Sequence, residues 1–166
     1  LSTSQDEEVA RNFILFGKPD VTVIVADATR LELNLNLVLQ ILEITGKAVL
    51  CLNLMDEAKR HHIKIDQRSL AKKLGIPVVE TIARTKEGIP ELLSTISDVA
   101  SGKIVSKPRK VTSLSGQIED SVNQLSTEIE KQFPGLPNSR WVAFRLLEGD
   151  ERITEAVLNN ELMELV

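Results

Sequence analysis

Hydrophobic positions along the chain change period from segment to segment. Val9, Phe13 and Phe16 recur at helical steps behind Ser4, a candidate N-cap followed by Asp6, Glu7 and Glu8, and Gly17 closes this first predicted helix. Pro19-Asp20 is a turn, and Val21–Asp27 is then an unbroken run rich in β-branched residues. Such a run reads as a parallel strand covered on both faces. Leu31–Ile44 carries helical spacing, with Gly46 placed to close it, and Ala48–Asn53 is a second buried strand. After a polar connection over Lys59–Ile65, Asp66 is placed to cap a helix over Gln67–Leu74, with Gly75 just past its end. Ile76–Thr81 forms a third strand, Glu87-Gly88 a turn, and Ile89–Ala100 a helix with Pro90 tolerated in its first turn.

Residues 1–102 therefore alternate helix and strand, the signature of an α/β fold with a parallel sheet and flanking helices. After Ser101-Gly102 the strand signal stops. Ser106–Lys110 is a basic, proline-containing linker, and Ser113–Phe133 is a long helix stopped by Pro134–Pro137. Asn138 or Ser139 caps a short helix through Trp141, Phe144 and Leu147, ended by Gly149, and residues 150–166 form a last helix. The expected second domain, 103–166, is small and all-helical.

In open parallel sheets, ligands sit at the carboxyl ends of the strands. That directs attention to Asp27–Arg30, Asn53–Asp56 and Thr81–Arg84. In Asn53-Leu54-Met55-Asp56, a carboxylate after a buried strand can accept two parallel hydrogen bonds from the N1–H and 2-amino group of guanine. Adenine does not offer that pair, and a mismatched base leaves the carboxylate without donors. Asn53 is placed to bond the base edge and to tie the loop to its neighbours. The plain alternative is a turn that caps the next helix. In Thr81-Ile82-Ala83, a small residue lets a backbone N–H reach a purine oxygen, and Gly88 permits a sharp turn into the following helix. Each motif alone is common. Together, one helical crossover apart, they are specific, because the topology sets both loops side by side.

These residues resemble a known family. Asn53-Leu54-Met55-Asp56-Glu57-Ala58, Gly75–Val79 and Gly88-Ile89 are similar to the bacterial ferrous iron transport protein B, a membrane protein with a cytosolic GTPase domain. Asp6–Arg11, Val25–Ala28 and Arg145–Asp150 extend the similarity over nearly the whole chain. The resemblance implies the C-terminal part of a P-loop-type G domain followed by a helical domain of the GDP-dissociation-inhibitor-like type. It implies that Asn53, Leu54, Met55 and Asp56 form the guanine-specificity motif. Ile82, Ala83 and Arg84 would then lie in the loop whose movement governs GDP release. Leu54 stands where general GTPases carry Lys, and Ile82 where the last motif carries Ser. The implied ligand is GTP or GDP, with Mg²⁺ in a complete G domain. The implied partners are a membrane-embedded iron-transport domain of the same polypeptide and a second copy of the chain. The implied location is the cytoplasmic face of the bacterial inner membrane.

Composition trims the alternatives. There are 166 residues, 42% hydrophobic and 27% charged, with a formal charge of −4. The acidic balance and 3% aromatic content argue against nucleic-acid binding. Cys51 is the one cysteine, which excludes an internal disulfide and suits a reducing compartment. The chain has neither an initiator Met nor a secretory signal, and it is expected to be part of a longer polypeptide. Neither Gly-x-x-x-x-Gly-Lys-Ser/Thr nor Asp-x-x-Gly is present, so the chain alone is not expected to hydrolyse GTP. No catalytic residue or metal ligand is assigned. His61-His62 reads as solvated, since neighbouring helical side chains diverge, and Cys51 reads as a small buried hydrophobe. The rival functions are a non-enzymatic docking module with a degenerate G domain and a different small GTPase, such as a ribosome-assembly factor. An acidic helical part does not suit the latter.

Overall fold

The computed structural model describes residues 5–108 and 116–162, without the side chains of 5–8 and 117. The elements in chain order are α1 (Gln5–Phe16), β1 (Thr22–Asp27), α2 (Leu31–Ile44), β2 (Ala48–Asn53), α3 (Met55–Arg60), α4 (Gln67–Leu74), β3 (Val78–Glu80), α5 (Ile89–Ala100), α6 (Gly116–Gln132), α7 (Ser139–Leu147) and α8 (Glu151–Leu158). Short 3-10 turns at Ala28–Arg30 and Ala83–Thr85 follow the first and third strands. The expectations for Ser4, Arg109, Lys110, Ser113, Leu114 and residues 163–166 lie outside the described residues, as do those for the side chains of Asp6, Glu7 and Glu8.

The described residues form two compact units, one of residues 20–108 and one of 5–19 with 116–162. These compact units do not coincide with the expected domains 1–102 and 103–166. The chain from 103 to 108 stays with the sheet unit, where Lys107 N–H donates to the Gly75 carbonyl at 2.9 Å. More consequentially, α1 belongs with the helical unit. Leu15 and Phe16 are buried, Asn138 Nδ2 donates to the Leu15 carbonyl at 2.8 Å, and the Arg11 guanidinium lies 5.7 Å from the Trp141 ring centroid.

In the sheet unit the strands run parallel in the order β1-β2-β3. This is the expected α/β architecture, a parallel sheet with flanking helices. The side chains of β2 alternate between two cores. Ala48, Leu50 and Leu52 enter a cluster with Val38 and Leu42 of α2 and Leu74 of α4, while Val49 and Cys51 enter one with Leu92 and Val99 of α5. The strand is buried on both faces, as its sequence predicts. β1 is not. Ile24 and Ala26 are buried, but Val23 is 37% and Val25 61% exposed. The helix that covers this face, α5, packs on β2, and β1 is the outer strand beyond it.

Three local expectations need correction. Residues 55–60 form helix α3, where no helix was expected before the connection over Lys59–Ile65. The second helix closes on Thr45 in extended conformation, not on a left-handed Gly46. Ile76–Thr81 shortens to a three-residue strand, although Leu50 N–H to the Pro77 carbonyl and Thr81 N–H to the Leu52 carbonyl, at 2.9 and 2.7 Å, continue the pairing. The caps hold as expected on α4, where Asp66 accepts from Ser69 N–H at 2.9 Å and Gly75 takes φ +74°.

In the helical unit, α6 and α7 pack closely, with Val122, Ile129, Phe133 and Val142 buried. The Ser139 hydroxyl bridges Glu130 Oε1 at 2.5 Å and the Ser126 hydroxyl at 2.9 Å. Asn138 precedes α7 in left-handed conformation with no side-chain cap bond. Asp150 caps α8, accepting from Ile153 N–H at 3.2 Å.

Candidate functional site

Parallel pairing aligns the strand ends. Asp27 is the register partner of Asn53, and Leu52 pairs with Glu80, so the loops after β2 and β3 leave the same edge of the sheet side by side. The Asp27 carboxylate turns back on its own loop and accepts from Thr29 N–H and Oγ1, both at 2.7 Å. Those two bonds, offset in part by burial and helped by Arg30, hold its carboxyl below the usual range. Asp27 is therefore spent on shaping the Ala28–Arg30 turn.

Asn53 and Asp56 are brought to the neighbouring loop by an abrupt reversal. Leu54 adopts φ +64°, ψ +34°, and α3 begins at the next residue. Met55 is buried, with its N–H on the Thr81 carbonyl at 3.3 Å. Leu54 is exposed, so these two motif residues play opposite parts: Met55 anchors the loop and Leu54 faces outward.

The two loops are joined through Asn53. Its Oδ1 accepts from Ala83 N–H at 3.0 Å and from the Thr81 hydroxyl at 3.3 Å. With the oxygen turned inward, the group Asn53 presents outward is its NH₂ donor. Ala83 N–H was expected to be available to a purine oxygen. It is instead directed at Asn53, because the Ala83–Thr85 turn rolls that amide toward the neighbouring strand end. Ile82 packs against the core and pairs with Glu87, and its N–H donates to the Glu87 carbonyl at 3.0 Å, closing the turn. Gly88, at φ +76°, makes the close approach possible, since a Cβ there would meet the Glu80 carbonyl at 2.1 Å.

Asp56 stands in the first turn of α3. Its Oδ2 accepts from Arg84 Nη2 at 3.1 Å, while Oδ1 is shielded from solvent and has no hydrogen-bond partner. Desolvation is the largest influence and raises the carboxyl pKa. The Arg84 hydrogen bond, the nearby N–H groups of Glu57 and Asp56 and the Arg84 charge outweigh it and leave the pKa below the ordinary value. At neutral pH Asp56 is thus a carboxylate with Oδ2 held by Arg84 and Oδ1 shielded close to the backbone N–H groups of Asp56 and Glu57.

Sequence reasoning missed Thr81 as a structural tie. It is 1% exposed, and its hydroxyl lies 3.2 Å from Cys51 Sγ and 3.4 Å from the Leu52 carbonyl as well as near Asn53. Cys51, read as a plain buried hydrophobe, is thereby a polar contact of the residue that holds Asn53. The signal was a Thr directly after a buried strand, two positions before Ala83. His61 and His62 are exposed, and among the described residues no cluster of three or more metal-ligating side chains forms.

Comparison with known proteins shows the family. The sequence profile of the family described as Ferrous iron transport protein B matches residues 1–96. The chain belongs to that family, FeoB. A second FeoB profile, the cytosolic helical domain, matches residues 115–166. The chain is 37% identical over 145 residues to a Porphyromonas gingivalis Fe(2+) transport protein A/Fe(2+) transporter FeoB fusion protein, covering 84% of this chain and 17% of that one. It is 31% identical over 148 residues to the Escherichia coli Fe(2+) transporter FeoB, covering 89% and 18%. It thus spans under one fifth of the length of these curated FeoB relatives. Crystal structures of the cytosolic domain of Thermotoga maritima FeoB, in apo, GDP and GMPPNP forms, align at TM-score 0.77 with 32% identity, covering 95% of this chain and 61% of theirs. The fold is accordingly that of the FeoB G domain with its helical domain.

Proposed function

We propose that this chain is the base-recognising part of a guanine-nucleotide-binding domain, together with its helical domain, in a longer ferrous iron transporter. The observation that carries the reading is Asp56. It is a carboxylate kept ionised just past the end of a buried strand, with one oxygen on the exposed Arg84 guanidinium, beside an Asn53 whose amide is fixed from behind. A partly exposed carboxylate held in place is matched by a ligand offering paired N–H donors. Guanine has that pair at N1–H and the 2-amino group. In this reading Asp56 accepts from both groups, Asn53 Nδ2 donates to the base edge, and Leu54 and Ile82 border the base. The GDP and GMPPNP forms of the Thermotoga protein support the nucleotide class.

GTP supplies the free energy of a cleavable γ-phosphate when bound. This chain contributes selection of the base, not the cleavage. It has no phosphate-loop lysine followed by Ser or Thr with which to cradle the phosphates or Mg²⁺, and no step through the metal is assigned to its residues. In the whole polypeptide, GTP binding and hydrolysis regulate or drive Fe²⁺ uptake through a membrane-embedded domain, which places this chain at the cytoplasmic face of the membrane. No helix among the described residues is long and apolar enough to cross a membrane.

The test is a base swap. Asp56→Asn exchanges an acceptor for a donor at one atom, and xanthine, with a carbonyl in place of the 2-amino group, is its complement. In calorimetry on the full-length protein, Asp56→Asn is expected to weaken GDP binding by about 10- to 100-fold, the cost of a lost charged hydrogen-bond partner, and to favour XDP. Unchanged GDP affinity removes Asp56 from the site.

A further inference from the structure

Asp56 is engaged by a side chain of the neighbouring loop. Arg84 Nη2 lies 3.1 Å from Asp56 Oδ2, with the arginine side chain 79% exposed and the carboxylate 25% exposed. A guanidinium is a planar fork of N–H donors, and guanine presents its N1–H and 2-amino donors to a carboxylate in the same parallel way. The two therefore compete for one acceptor. Arg84 is delivered by a closed turn. Besides the Ile82 N–H bond to the Glu87 carbonyl, Lys86 N–H donates to the Ala83 carbonyl at 3.2 Å and Thr85 Oγ1 to the Ile82 carbonyl at 3.2 Å. Releasing Asp56 thus requires rotation of one exposed side chain, with no rearrangement of the loop that carries it.

We propose that Arg84 sets the affinity of the base site by acting as an internal stand-in for the guanine edge: its guanidinium holds Asp56 in the free protein and swings into solvent when a base binds. The inference rests on the reading of Asp56 as the base-recognising carboxylate. Its consequence is that the affinity for the base is scaled down by the fraction of molecules in which Asp56 is free, a fold-loss equal to the reciprocal of that fraction. An exposed pair holds weakly, so the penalty is modest, about two- to sixfold in affinity, and reversible. It is also ionic, and salt removes it. Arg84, assigned from sequence to the nucleotide's binding residues, acts in this account before the base arrives.

Guanosine is the suitable probe, because it carries the base edge without phosphate charge. Its affinity is measured by NMR titration of this chain and of Arg84→Gln at about 0.01 M and about 1 M salt. Arg84 is exposed and its loss opens no cavity. The expected result is two- to sixfold tighter guanosine binding by Arg84→Gln at low salt, a difference that closes at high salt, and an Asp56 carboxyl that titrates at higher pH in the variant. Equal or weaker binding by Arg84→Gln at low salt overturns the proposal, and weaker binding means that Arg84 holds the base directly. If neither protein prefers guanosine to adenosine, the reading of Asp56 fails and this inference falls with it. Guanosine preference in both without a gain in the variant removes the Arg84 inference alone.

Discussion

Thr81 shows how one hydroxyl organises the site. It is buried and faces Asn53 Oδ1, Cys51 Sγ and the Leu52 carbonyl, so it can supply its single proton to one acceptor while accepting from the thiol. Thr81→Val keeps the shape and removes the donor. We expect a loss of about 1–3 kcal/mol in stability by chemical denaturation, the cost of a buried polar partner left unmatched, together with weaker guanosine binding. Thr81→Ser retains the hydroxyl and is expected to keep the binding. Asn53 and Asp56 were legible in the sequence as candidates because of their residue types and their place after a buried strand. Thr81, Cys51 and the Arg84 contact were not, since each depends on a partner about 30 positions away that only the sheet register brings near.

At the level of elements, the alternation of strands and helices was legible because β-branched runs and helical spacing are local signals. Helix α3 was not, because six residues are too few to show a period. The bare face of β1 was hidden for a different reason. A continuous apolar run reads the same whether one side is covered or both, and only the position of α5 on β2 decides it. The loop joints carry two predictions. Gly88→Ala forces a Cβ against the Glu80 carbonyl at a positive φ, and we expect a loss of at least about 1–3 kcal/mol, read from the denaturation midpoint. Asp27 has its folded pKa lowered, chiefly by the Thr29 side chain and then by the Thr29 N–H, so the stability it adds is present above the ordinary carboxylate value and lost as pH falls through the folded one. Asp27→Asn is expected to flatten that acid limb in stability measured against pH.

For the whole molecule, the sequence predicted an α/β part followed by a helical part, and chain order suggested that the first helix belonged to the sheet. The structure gathers α1 with α6, α7 and α8, a return across about 100 residues that no local pattern encodes. The division has a measurable consequence. Leu50 is fully buried in the sheet unit, on the strand that ends at Asn53. Leu50→Ala is expected to cost about 2–5 kcal/mol and to abolish base binding, because it loosens the strand that carries the recognition loop. The central claim is that Asp56 and Asn53 read a guanine edge. Titrating guanosine, inosine and adenosine into the chain, followed by NMR of the Asn53–Glu57 and Ala83 amides, tests it most directly. The account predicts shifts in both loops with guanosine, weaker binding of inosine, which lacks the 2-amino donor, and no saturable shift with adenosine. Equal affinity for all three nucleosides, or shifts that leave both loops untouched, would contradict it.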